Sequence, residues 1–172
     1  MAKVRPVRLR EIRESDLDLI TAHENVESDP WNAYAFRASN QMHRRFAADG
    51  LLGEGSGMLG VTDEGGQLIG SVGWHSVQHG PTPACRALNI GISIFPEHRG
   101  QGYGTAAQRA LADYLFSTTL IERVEASTDV DNHAEQPALE TAGYVKEGVI
   151  RHAQFRGGAW HDAVSYSRLR GD

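Results

Sequence analysis

Val4 to Ile12 alternates loosely between apolar and polar residues and predicts a first strand. Glu14-Ser15-Asp16 then opens a helix, with Ser15 or Asp16 as its N-cap and Leu17, Leu19 and Ile20 as its apolar face. Asp29-Pro30-Trp31-Asn32 breaks the pattern, and a second helix runs from about Ala38 to Asp49, ended by Gly50. Ser56 to Thr62 and Gln67 to Val77 read as two strands joined by the hairpin turn Asp63-Glu64-Gly65-Gly66. Ala87 to Phe95 is a further strand, closed by Pro96, which cannot donate to a ladder. A third helix follows from about Gly102 to Phe116, then a strand from Arg123 to Thr128 and a short helix from Glu135 to Ala142, stopped by Gly143. Tyr144 to Phe155 and Trp160 to Leu169 are strands joined at Arg156-Gly157-Gly158. This order predicts a mixed α/β layer fold around one central sheet.

Composition narrows the picture. A chain of 172 residues is expected to form one domain over residues 1–172. A net charge of −5 argues against a nucleic-acid partner, which favours a basic excess. The one cysteine, Cys85, allows no disulfide within the chain and lacks the setting of a nucleophile. No apolar run approaches the roughly 18 residues of a spanning helix, and Met1-Ala2-Lys3-Val4-Arg5 lacks the apolar core of a signal peptide. The expectation is a cytoplasmic protein with no membrane partner. No His, Cys or carboxylate set has the spacing of a metal site.

The stretch Arg99-Gly100-Gln101-Gly102-Tyr103-Gly104 ends a strand and opens a helix. Glycines let backbone turn sharply and approach a ligand. The free N–H groups of the first helical turn then favour an anion, so the expected ligand is a phosphate or pyrophosphate. The phosphate-loop pattern is absent, because no lysine lies near. Gly102, Gly104 and Ala107 formally meet the dinucleotide pattern, with Glu122 and Glu125 downstream. That pattern normally opens parallel βαβ units, whereas this chain ends in a hairpin. A dinucleotide-binding oxidoreductase is the weaker alternative.

Arg99-x-x-Gly102-x-Gly104 resembles the acetyl-coenzyme A signature of the GCN5-related N-acetyltransferases. Phe95-Pro96-Glu97-His98, the Asp131-Asn132 pair and Glu140-Thr141-Ala142-Gly143-Tyr144 look like further phrases of that family. Glu147-Gly148 and the tail Gly158-Ala159-Trp160-His161-Asp162 are similar to the branch of ribosomal-protein N-terminal acetyltransferases, the RimJ/RimL type. The resemblance implies a mixed, mostly antiparallel sheet of about seven strands flanked by about four helices. It implies acetyl-CoA as cofactor, a primary amine as acceptor (a protein N-terminus or a small molecule), direct attack in a ternary complex, and a homodimer. A non-catalytic protein of this fold that holds coenzyme A is the alternative.

The resemblance also implies site residues. Ile92, Ser93 and Ile94 would pair with the pantetheine arm, whose amides mimic a neighbouring strand. Backbone N–H groups from Gly100 to Thr105 would hold the pyrophosphate, with Gln101 and Tyr103 pointing outward. Arg99 would brace the turn or meet a phosphate, and Asn132 would touch the arm or cap a helix. Leu139 stands where many members have a tyrosine, Glu135 where the branch often has serine, and Asn89 where a glutamate base is common. A free α-amine has a pKa of about 8 and a lysine about 10.4, so a proton must leave before attack. Candidates are Glu135, His75 and Glu125, with Asp129, His152 and Asp162 behind them. Trp31, Trp74 and Asp162 are the expected acceptor contacts.

Overall fold

The computed structural model describes residues 4–23, 30–31, 40–53 and 55–172. The strands are β1 (Arg8–Glu11), β2 (Ser56–Thr62), β3 (Leu68–Gln78), β4 (Arg86–Ile94), β5 (Arg123–Asp129), β6 (Val145–Arg156) and β7 (Ala159–Leu169). The helices are α1 (Leu17–Ala22), α2 (Gln41–Asp49), α3 (Tyr103–Thr118) and α4 (Glu135–Thr141). All seven strands form one sheet in the order β1-β2-β3-β4-β5-β7-β6, and β4 with β5 is its parallel pair. One parallel pair does not make the doubly wound sheet that the dinucleotide reading requires.

The element order follows the sequence pattern, with differences at the edges. The first strand covers Arg8–Glu11 rather than beginning at Val4. Asp16 does not cap α1 by its side chain. Its carboxylate turns back to accept the Arg13 N–H at 2.7 Å and the Arg10 guanidinium at 2.6 Å. The residues before α1 therefore close into a tight 3₁₀ turn, Glu14–Asp16. The Arg10 hydrogen bond holds the Asp16 carboxyl below its ordinary range. Leu17 and Ile20 are buried, but Leu19 is exposed, so the apolar face of this short helix is narrower than predicted. The predicted start of the second helix at Ala38 lies outside the described residues.

Helix α3 is rich in alanine and leucine, which lose little freedom in a helix. It buries Ala107, Leu111, Ala112 and Leu115 in one core with Val72, Ile90, Val124 and Tyr166 of the sheet. Each such leucine or valine contributes about 1.5–3 kcal/mol on burial. A smaller core gathers Ile12, Leu17, Ile20, Leu51, Leu68 and Phe95 beneath α1 and α2.

The sheet opens at its centre. β4 pairs with β5 only at Leu88↔Val124, Asn89↔Glu125 and Ile90↔Ala126. Beyond Ile90, β4 stays with β3 as far as Ile94, while β5 stays with β7 as far as Asp129. The two strands therefore part just before the glycine turn.

Candidate active site

The parting of β4 and β5 leads into a cavity of about 1020 Å³. Ile92, Ser93 and Ile94 form one side of it, and Thr128, Asp129 and Asn132 the other. The glycine turn closes one end. Gly100 and Gly102 hold φ of +68° and +85°, values that glycine adopts without a steric cost. Gly104 leaves only ordinary contact for an added Cβ, with Ile92 Cδ1 3.9 Å away. The Arg99 Nε donates to the Ile94 carbonyl at 2.6 Å, so its side chain braces the turn. Gln101 donates to the Glu97 carbonyl at 3.1 Å. Tyr103 corrects the expectation that it points outward. It is buried, faces the His98 ring edge-on and carries the Arg5 guanidinium over its face. The turn packs this side chain inward, and Gly100, Gly102, Gly104 and Thr105 around it line the cavity.

Asn132 is buried and serves α4. Its Nδ2 donates to Thr128 Oγ1 at 3.0 Å, and its Oδ1 accepts the Glu135 N–H at 3.3 Å. It also lines the cavity. Glu135 lines the cavity too, but its Oε1 accepts a hydrogen bond from Nε2 of the buried Gln108.

His75 is exposed, lines the cavity and stands directly opposite Asn89 in the β3–β4 register. Glu125 is neither on a solvated face nor among the cavity-lining residues. It is buried, with Arg123 Nε 2.6 Å from its carboxylate and His79 on the same oxygen. Arg123 also forks onto Glu147 and holds that carboxyl below its ordinary range. Glu147 thus contributes stability above the usual carboxylate range and loses it as pH falls through the lowered value.

Trp74 alternates with His75 and faces the other way. It packs over Gly57 and near Tyr114 of α3, so the fold gives it a core role rather than an acceptor contact. Asp162 is drawn into the sheet edge, where its Oδ1 accepts the His152 N–H at 2.8 Å. His152 sits in the irregular stretch of β6 with φ +48°, stacked on Trp160. Cys85 lies in a 3₁₀ turn outside the cavity lining, and the Thr82 hydroxyl keeps its thiol below the ordinary value.

Trp31 lines the cavity, under the guanidinium of Arg156 at 5.7 Å from its ring centre. Arg156 is buried, pairs with Asp129 and donates to the Pro30 carbonyl at 3.2 Å. Asp129 also faces His161 Nδ1 at 3.3 Å and accepts the Asp131 N–H at 2.8 Å. Both carboxylate oxygens are therefore engaged. Sequence reasoning missed Arg156, His161 and Gln108. For Gln108 a signal existed: it is a polar residue on the stripe Gly104, Ala107, Leu111, Leu115, which should be apolar. Among the described residues, no group of three or more His, Cys, Asp or Glu is placed to hold a metal ion. No helix among them is long and apolar enough to cross a membrane.

Comparison with known proteins agrees with this architecture. The uncharacterized N-acetyltransferase YoaA of Bacillus subtilis is 32% identical over 104 residues, covering 60% of this chain and 56% of YoaA. The ribosomal-protein-serine acetyltransferase of Escherichia coli is 25% identical over 103 residues, covering 60% and 55%. The chain thus spans little more than half the length of these curated relatives. A spermidine N-acetyltransferase from Vibrio cholerae, solved in complex with CoA and spermine, superposes with a TM-score of 0.80 at 20% identity, over 96% of both chains. The acetyltransferase (GNAT) domain family matches residues 7–145, and with the seven-stranded sheet, its parted centre and the glycine turn beside it, the chain belongs to the GNAT acetyltransferase family.

Proposed function

We propose that this chain is an acetyl-CoA-dependent N-acetyltransferase that moves the acetyl group to a primary amine. The observation that carries the reading is the gap between β4 and β5, whose cavity is lined by the glycine turn and also by His75 and Trp31. The residues fit the cofactor. The turn supplies backbone N–H groups for phosphates at a helix start. Strand β4 supplies an edge at Ile92–Ile94 on which amides of an extended arm can pair. Acetyl-CoA, when bound, supplies the thioester carbonyl for attack and the thiol that leaves.

Of the six candidates for taking the amine's proton, Asp129 is paired with Arg156 and Asp162 accepts the His152 N–H. Glu125 is held by Arg123 and His79, away from the cavity lining, and Glu135 is clasped by Gln108. His75 has both exposure and a place in the cavity wall, so it is assigned the proton, directly or through water. Trp31 forms the acceptor-side wall, fixed by Arg156. The acceptor class is a primary amine, with a protein N-terminus as the first substrate to try. The reading places the enzyme in the cytoplasm.

Thermal denaturation with and without coenzyme A tests the cofactor site. The ligand binds only the folded chain and is expected to raise its Tm. Gly104→Val should abolish that rise and leave the Tm of the free protein nearly unchanged, since the added Cβ meets only ordinary contact. Gly102→Val is the poorer variant, because φ of +85° strains any β-branched residue. An undiminished rise in Gly104→Val would place the phosphates elsewhere. A rise in the wild type without thiol release, across a panel of amines, would mark a coenzyme-holding module instead of an enzyme.

A homodimer completes the proposal. The β6–β7 hairpin exposes Val145, Val149, Ile150, Phe155 and Trp160, and β6 is an edge strand. A second copy covering this face accounts for the apolar exposure. Light scattering at micromolar concentration should give twice the mass of one 18.8 kDa chain, and a monomer mass would refute it.

A further inference from the structure

We infer that Gln108 reads the pantetheine arm: its side-chain carbonyl accepts a hydrogen bond from a donor of that arm, while Glu135 sets its orientation. The inference rests on the coenzyme reading above and assigns a specificity-determining residue within it. Gln108 is 0% exposed yet belongs to the cavity wall. It lies one helical turn beyond Gly104 and Thr105, which line the same cavity, so the three share one face of α3. Its Nε2 donates to Glu135 Oε1. That bond settles which end of the amide is which, because the reversed amide would turn its carbonyl onto a carboxylate. The remaining atom, Gln108 Oε1, is buried and has no hydrogen-bond partner among the described residues.

A buried acceptor in a cavity wall selects a ligand that brings a donor. Phosphate oxygens bring none at neutral pH, so this atom disfavours the anionic part of the carrier. The pantetheine arm brings two amide N–H groups and a hydroxyl. The phosphates belong at the glycine turn, one helical turn away, and the arm belongs beside Gln108. Glu135 in this arrangement is a positioning residue. Its carboxylate locks the amide, and its backbone N–H is in turn held by Asn132.

Affinities for two probes separate this from a purely structural clasp between α3 and α4. One probe is coenzyme A. The other is its phosphoadenosine diphosphate half, which lacks the arm. Gln108→Leu should weaken coenzyme A about tenfold and leave the nucleotide half unchanged, as expected for one lost hydrogen bond to a buried partner. Gln108→Met gives the same contrast where the leucine variant fails to fold. Glu135→Gln still offers Gln108 a carbonyl and should retain coenzyme A affinity, while Glu135→Leu should weaken coenzyme A alone. An equal loss for both probes, or no loss for coenzyme A, overturns the inference. A wild-type protein that binds neither probe overturns the coenzyme reading itself, and that result is visible before any variant is made.

Discussion

Arg156→Met is expected to destabilise the folded chain by about 3 kcal/mol or more, the cost of leaving one member of a buried ion pair without its partner. The Arg156 and Asp129 side chains are only 8% and 2% exposed, so water cannot replace the lost charge. Without the guanidinium, Asp129 keeps His161 and the Asp131 N–H but stays a buried carboxylate short of its main partner. Urea unfolding should show a lower midpoint with an unchanged slope. Asp129→Leu combined with Arg156→Met should recover part of the loss, because no charge is then stranded. A loss below about 1 kcal/mol would mean that the pair behaves like a surface ion pair. Arg156 also spans from β6 to Pro30 and Trp31, so the acceptor KM should rise in any Arg156→Met protein that folds.

His75→Gln is expected to lower kcat by about 10²-fold, the typical contribution of a general base. The acetyl-CoA KM should change little, since the glycine turn and β4 are untouched. Thiol release from acetyl-CoA in the presence of a primary amine measures the fall, and an unchanged kcat in the variant would remove His75 from the chemistry. Glu135→Gln should keep kcat near that of the wild type, its carboxylate being engaged with Gln108. If Glu135→Gln loses the 10²-fold and His75→Gln does not, the two assignments exchange.

The parts of this molecule that local chemistry decides were readable along the chain. Gly143 ends α4, Gly157-Gly158 turns β6 into β7, and Gly100 and Gly102 take the left-handed conformations that their positions imply. Strand and helix order followed because each segment carries its own apolar pattern. Long-range pairing was not readable. Asp129 and Arg156 meet only because β7 lies between β5 and β6, which brings the ends of two strands together. Glu125 and Trp74 were misplaced for a related reason. Alternation divides a strand into two faces, but only the tertiary arrangement decides which face meets α3 and which meets the cavity. Tyr103 follows the same rule at a helix start, where an x position between two glycines became part of the core.

The short seam between β4 and β5 gives the sheet the mechanics of a hinged plate. On one side β1 to β4 are stitched strand to strand, and on the other β5, β7 and β6 are. Helix α3 packs chiefly on β1, β3 and β4 of the first half and reaches Val124 and Tyr166 of the second, whereas α4 packs on β5 and β6. The two helices meet where Gln108 reaches Glu135 and Arg109 reaches the Thr141 carbonyl. These polar rivets cross the hinge line on the helical side, while the wide end of the seam has no backbone rungs to share the strain. Opening of the gap therefore has to strain the packing of α3 as well as the sheet, because Asp113 of α3 also pairs with Arg168 of β7 and the leucines of α3 share a core with Val124 and Tyr166.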